Sequence, residues 1–213
     1  MTITFYYGSG SPFVWRVWLA LEHKQLPYEL KLMSLQNGEL KKAEFLAINP
    51  RGKVPVLVDE GWVIRESAVI LEYIEERYPG RPIFPNNPRD RATVRRVISE
   101  VNNYLYPVAR RLLEQTLFRP DDSGDPVMIA QALKDLRHEL RYFEDALLGD
   151  YFVDDLSAAD FTFYPMLALV KRLHDKQPQH GAGDLIGMKL AAFMQRIEQL
   201  PYFELTIPPH WKA

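Results

Sequence analysis

A small α/β domain of order βαβαββα followed by an all-α domain is the fold class that the sequence predicts. Three observations carry the expectation. Runs rich in β-branched and aromatic residues end by Arg65, and no strand pattern follows. Two proline clusters, Pro79-Gly80-Arg81-Pro82 and Pro85-Asn86-Asn87-Pro88, fall within ten residues and mark a linker. Beyond them, apolar residues recur at alternating steps of four and three, which is the period of a helix. The expected boundaries are 1–79 for the α/β domain, 80–89 for the linker and 90–213 for the helical domain.

In the first domain, ITFYY at 3–7 reads as a strand and residues 12–24 as a helix with Pro12 in its first turn. Val14, Val17, Trp18 and Leu21 give that helix its apolar face. YELKL at 28–32 alternates as a second strand, parallel to the first across a right-handed crossover. A short, weakly amphipathic helix near 39–47 ends before Asn49-Pro50. Residues 54–58 and 62–65 form an antiparallel hairpin around a three-residue turn, Asp59-Glu60-Gly61. Ser67 opens a further helix as its N-cap, with Ile70, Leu71, Ile74 and Tyr78 on one face.

The second half reads as helices throughout. Val94, Ile98, Val101, Leu105, Val108 and Leu112 predict one long helix over 90–118, kinked or locally opened by Pro107. RPDDSGDP breaks the chain, and a second long helix follows over 127–148, with Gly149 as its C-terminal glycine. Ser157 with Asp160 three residues on has the spacing of a capping box before a very apolar helix. Residues 181–184 read as loop, and 189–200 as a last helix ended by Pro201.

Composition excludes several function classes. A net charge of −2 over 213 residues leaves no bulk electrostatic footprint for nucleic acid. No apolar run approaches the roughly 20 residues that span a bilayer. The start of the chain lacks the pattern of a cleaved leader, so a cytoplasmic protein is expected. Cysteine is absent, which removes disulfides, thiolate metal sites and a protein-thiol nucleophile. The five histidines form no ligand spacing, so no metal is expected. If sulfur chemistry occurs here, the thiol arrives with a ligand.

The turn Gly8-Ser9-Gly10-Ser11 is the first candidate site. It places two hydroxyls at a helix N-terminus, where unpaired N–H groups and the dipole favour an anion. A thiolate, a carboxylate or a phosphate fits that description. The plain alternative is a βα turn capped by Ser11.

The order of elements and three motifs resemble the cytosolic glutathione transferases, over essentially the whole chain. SPFVWRVWLALE at 11–22 is similar to the S-P-F-x-x-R-V opening of serine-type (tau-, zeta- and theta-like) members. NPRGKVPVLVDEGWVIRESAVILEYI at 49–74 is similar to the N-P-x-G-x-V-P-x-L … E/D-S pattern around their glutathione site. LSAAD at 156–160 is similar to the S/T-x-A-D box that opens a buried helix of their second domain.

The resemblance implies a thioredoxin-like N-terminal domain, an all-α C-terminal domain, glutathione as co-substrate and a detoxifying transferase. Ser11 would donate a hydrogen bond to the glutathione thiolate; Tyr6, Tyr7 and Ser9 are the alternatives. Pro12 occupies the neighbouring serine position of some relatives and cannot donate. Arg16 would raise the local potential, or serve instead as a surface or interdomain salt-bridge residue. Val54, before a proline that resembles the family's cis-proline, Pro55, would pair with the peptide through its backbone. Glu66 and Ser67 would hold the γ-glutamyl end, and Lys53, with Lys41 or Lys42, the glycyl carboxylate. Phe13, Trp15, Tyr104, Val108 and Arg111 would line the pocket for a small hydrophobic electrophile, with Val108 as core and Arg111 as an ion-pair partner the competing reading. Ser157 and Asp160 are assigned to folding. The resemblance also implies a homodimer, with Arg89, Arg91, Arg95 and Arg96 against Asp135 and Glu139 as the contact. The alternatives are a zeta-like maleylacetoacetate isomerase, whose S-S-C turn is here Ser9-Gly10-Ser11-Pro12, and a non-catalytic binding module on the same fold.

Overall fold

A computed structural model of the chain describes residues 3–119 and 123–212, which divide into two units: residues 3–84 with 201–212, and residues 85–200. The expected helical domain therefore loses its last residues to the first unit. Part of the expected RPDDSGDP break, at 120–122, lies outside the described residues.

The first unit is built on strands β1 (Ile3–Tyr7), β2 (Tyr28–Leu32), β3 (Val56–Asp59) and β4 (Trp62–Arg65) in the order β2-β1-β3-β4. β2 is parallel to β1, whereas β3 and β4 are antiparallel to their neighbours. Ile3, Phe5 and Tyr7 are buried beneath helices α1 (Pro12–His23) and α3 (Ser67–Arg77), with the Tyr7 ring centroid 5.1 Å from that of Trp18. The alternate residue Tyr6 faces the other way, towards Phe45 of α2 (Ala43–Ile48) at 6.0 Å. Period-two alternation thus places helices on both faces of the sheet.

Three local readings change. The hairpin turn has two residues, Glu60 (φ 49°) and Gly61 (φ 86°), because Asp59 pairs with Trp62. Positive φ at both central positions is the conformation whose twist matches a two-residue hairpin. The buried Asp59 carboxylate accepts hydrogen bonds from Tyr73 (2.7 Å) and Tyr78 (2.6 Å), which fastens α3 to the hairpin. β3 starts at Val56 rather than at residue 54, and the N-cap of α3 is Glu66, with Ser67 its first helical residue. Lys24 joins Glu75 at 3.1 Å and donates to the Arg81 carbonyl, while Glu75 also accepts from the Ile83 N–H. These bonds tie the start of the proline-rich stretch to the first unit.

In the second unit the long helix expected over 90–118 is α4 (Pro88–Glu100), a π-helical turn at Val101–Leu105 and α5 (Tyr106–Gln115). Pro107 sits in the first turn of α5, where its missing N–H matters least, and the wider turn before it shifts the hydrogen-bond register. α6 (Pro126–Ala146) is capped by Asp125, whose carboxylate accepts from the Val127 and Met128 N–H groups. It ends three residues before Gly149, which is not in a left-handed conformation and so is not the C-terminal glycine of the helix. α7 (Ala158–Lys176) is buried along most of its length, and α8 (Met188–Glu198) packs beside it. Residues 182–185 form a short 3-10 turn where a loop was expected over 181–184, and residues 178–180 form another. Phe143, Phe152, Phe163 and Phe193 form the aromatic core, with centroids as close as 4.9 Å.

Candidate active site

The sheet register brings the candidate stretches to one end of the first unit. Tyr6 lies opposite Val56, and Val56 opposite Arg65. The Gly8–Ser11 turn follows β1, Val54-Pro55 precedes β3 and Glu66-Ser67 follows β4. Because β3 runs against both neighbours, all three leave the sheet at the carboxyl end of β1. A Cβ built on Gly8 would meet Val54 Cγ2 at 3.0 Å, so the turn and Val54 touch.

Ser11 occupies the N-cap position of α1, but its side chain makes no cap hydrogen bond. Pro12 supplies no N–H at the next position. The backbone carbonyl of Ser11 accepts from Val14 and Trp15, so the helix begins normally while the hydroxyl remains available. A cavity of about 10 Å3 lies against this turn, lined by Tyr7, Ser9, Ser11, Trp15, Trp18 and Thr206 among others. That volume suits about one water molecule.

Val54 precedes the first ladder residue of β3, and among the described residues no backbone hydrogen bond outside the strand ladders uses its N–H or C=O. The Val54-Pro55 bond is cis, in agreement with the proline that the sequence singled out. Glu66 is exposed and holds φ at 65°, a region disfavoured for a residue with a Cβ. Such outliers gather at functional sites. Ser67 is buried in the first turn of α3. Lys53 and Lys41 are exposed, and the Lys53 carbonyl is held by the Asn49 amide at 2.7 Å.

Two expectations about α1 change. Arg16 is fully buried, not a surface residue, and its guanidinium carbon lies 4.6 Å from the Phe13 ring centroid. Burial pushes its pKa down to about 9, so it keeps its charge at neutral pH. Trp15 is 3% exposed, and its indole N–H donates to Thr206 Oγ1 at 3.0 Å. The segment after Pro201 covers it, so it does not offer an open wall to an electrophile. Phe13 is half-buried. Of the remaining pocket candidates, Tyr104 is exposed and Val108 half-buried, and Arg111 pairs with Asp135 of α6 at 2.7 Å. The ion-pair reading of Arg111 holds. Of the two tyrosines, Tyr7 lines the cavity, whereas Tyr6 projects from the opposite face of the sheet.

The sequence reading missed the C-terminal contribution. In the 3-10 turn Pro209–Trp211, His210 Nδ1 lies 2.6 Å from Ser9 Oγ, and Trp211 Nε1 donates to His210 Nε2 at 3.0 Å. No local pattern connects residues 201 positions apart. The nearest sequence signal is Gly10. Its φ is 83°, and a Cβ there would meet His210 Cε1 at 2.7 Å. Among the described residues, no group of three or more His, Asp or Glu could hold a metal ion, and no helix is long and apolar enough to cross a membrane.

Known proteins resemble this arrangement. Residues 10–77 match the family described as Glutathione S-transferase, N-terminal domain. The chain is 27% identical to glutathione S-transferase A of Pleuronectes platessa, over 98% of this chain and 92% of that protein. It is 31% identical to the probable maleylacetoacetate isomerase 2 of Drosophila melanogaster, over 75% of this chain and 70% of that protein. Among solved structures, a glutathione S-transferase from the Antarctic clam Laternula elliptica aligns with a TM-score of 0.80 at 30% identity, over 100% of this chain and 95% of that one.

Proposed function

The chain belongs to the glutathione S-transferase family, and from that premise we propose that it activates the thiol of glutathione for attack on small hydrophobic electrophiles, by conjugation or glutathione-dependent reduction. The observation that carries the reading is the convergence of the Ser9–Ser11 turn, the Val54 backbone and Glu66-Ser67 at one end of the sheet. A γ-glutamyl tripeptide matches that set. Its cysteinyl backbone pairs with Val54 as an added strand would. Its γ-glutamyl carboxylate meets the first N–H groups of α3 and the Ser67 hydroxyl, and its ammonium group meets Glu66. Lys53, with help from Lys41, takes the glycyl carboxylate.

A free cysteine thiol titrates near pH ~8.5, so little thiolate exists at neutrality without help. Ser11 is too weak an acid to act by losing its proton; it donates a hydrogen bond to S⁻ instead. The α1 dipole and the buried charge of Arg16 add positive potential at the same place. The electrophile is taken up by apolar surface at the start of α1 that includes Phe13. The protein works as a cytoplasmic homodimer, which sedimentation checks directly.

Maleylacetoacetate isomerisation is the second reading, favoured by the Drosophila melanogaster relative. The Ser9-Gly10-Ser11 turn and the absence of cysteine weigh against it. Purified protein is tested on immobilised glutathione, then with a chloronitrobenzene acceptor and with maleylacetoacetate. Retention with conjugation supports the first reading, and isomerase activity alone replaces it with the second. Failure to bind glutathione would reduce the chain to a binding module for something else.

A further inference from the structure

Ser9 and the C-terminal segment are not accounted for by Ser11, Val54 and Glu66. The geometry of this cluster fixes where its protons lie. An indole N–H is a donor and never an acceptor. Trp211 Nε1, 3.0 Å from His210 Nε2, therefore requires that nitrogen to be the unprotonated acceptor. In a neutral imidazole the proton then sits on Nδ1, which is 2.6 Å from Ser9 Oγ. His210 donates and the Ser9 oxygen accepts. The hydroxyl proton of Ser9 is left for a third group, and hydrogen bonds in series strengthen one another. The same arrangement denies His210 the role of a base towards Ser9, because accepting at Nδ1 would put a proton on Nε2 facing the indole N–H.

The cluster is seated firmly on the turn. Trp211 packs edge-on against Trp15 at 5.2 Å, and Trp15 is bonded to Thr206. Gly10 admits His210 where any Cβ would collide with it. Ser9 and Ser11 both line the small cavity at the start of α1.

We propose that Ser9 is a second hydrogen-bond donor to the glutathione sulfur, held with its proton outward by a Trp211–His210 relay from the C-terminal segment. Ser9 touches the reacting atom, and His210 is a positioning residue acting through it. The inference rests on the reading that the guest is glutathione.

Two measurements test it. Nitrogen-15 NMR of the imidazole in the unliganded protein reads the tautomer without any ligand; protonated Nδ1 with bare Nε2 is expected. The reverse tautomer overturns the relay. Ultraviolet titration of bound glutathione then follows the thiolate. Ser9→Ala and His210→Phe should each lower the thiolate fraction at neutral pH roughly three- to ten-fold. The double variant should lose no more than either single one, since both act through one hydrogen bond. His210→Asn, whose side-chain N–H replaces the Nδ1 donor, should restore most of the loss. A wild-type thiol pKa in well-folded His210→Phe, or additive losses in the double variant, would overturn the proposal. If His210→Phe does not fold, Ser9→Ala and Trp211→Phe carry the same comparison. Wild-type protein that binds no glutathione counts against the proposed function itself, whereas binding with the wrong tautomer counts against the relay alone.

Discussion

Ser11 and Ser157 stand at the same place, one residue before a helix, in the two units of this protein, and their hydroxyls do opposite things. Ser157 is 1% exposed; its oxygen accepts from the Ala159 N–H and its proton goes to the Asp160 carboxylate at 2.8 Å. Asp160 closes the box on the Ser157 N–H and also accepts from the Phe152 N–H. Every hydrogen-bonding group there is used in folding. Ser11 is followed by a proline, makes no cap bond and lies at the edge of a cavity. The difference teaches that the residue after a serine at a helix start bears on whether the hydroxyl is spent on the cap or left open to a ligand.

Substitutions sharpen the contrast, and the largest effect falls on the structural side. Asp160→Ala strands the Ser157 and Phe152 N–H groups in the core and should lower stability by about 3 kcal/mol in urea unfolding, with the thiol pKa of bound glutathione unchanged. Ser11→Ala should do the reverse. It removes a hydrogen bond to an anion worth about 2 kcal/mol, roughly thirty-fold in thiolate formation, while the unfolding midpoint stays within experimental scatter. An unchanged thiol pKa would remove Ser11 from the mechanism and promote Ser9 or Tyr7. Ser157→Ala comes next, at about 1 kcal/mol of stability and no change in turnover. Any of these variants moving both readouts together would break the distinction.

How legible each region was follows from the same contrast. The Ser157 cap was readable because its partner is three residues away and the run that follows is apolar; the interaction is local. The Ser11 turn was readable as a helix start for the same reason, and the Val54-Pro55 and Glu66-Ser67 stretches through a family resemblance. What escaped was set by distance or by burial. The Ser9–His210 contact depends on where the last residues pack, which no local period encodes. The full burial of Arg16 escaped because a guanidinium is usually exposed, whereas this one sits within a helix buried nearly all round. The N-cap of α3 shifted by one residue because Glu66 adopts a positive φ that its side chain does not favour.

The smallest net effect is the pH dependence of stability, where the two units oppose each other. Burial in the second unit pushes Asp160 from 3.8 up to about 7, outweighing the four hydrogen bonds, from the Ser157 hydroxyl and the backbone at Phe152, Ser157 and Asp160, that favour its charge. A raised folded-state pKa means that its contribution is fully present below pH ~4 and lost as pH rises through about 7. In the first unit, burial, together with the charges of Arg81 and Lys24, pushes His23 from 6.5 down to about 4, against the pull of Glu75 and a backbone bond at Pro82. Its contribution is fully present above pH 6.5 and lost as pH falls through about 4. Between these values the slopes have opposite sign and partly cancel in the whole protein. Removing one should expose the other. His23→Asn should become less stable, relative to wild type, as pH rises from 4 to 7, and Asp160→Asn should gain relative to wild type over the same range. Urea midpoints at four pH values, taken as differences from wild type so that the remaining titrating groups cancel, read both slopes. Parallel curves for both variants would mean that neither buried group titrates in this window and that the two units do not differ in this respect.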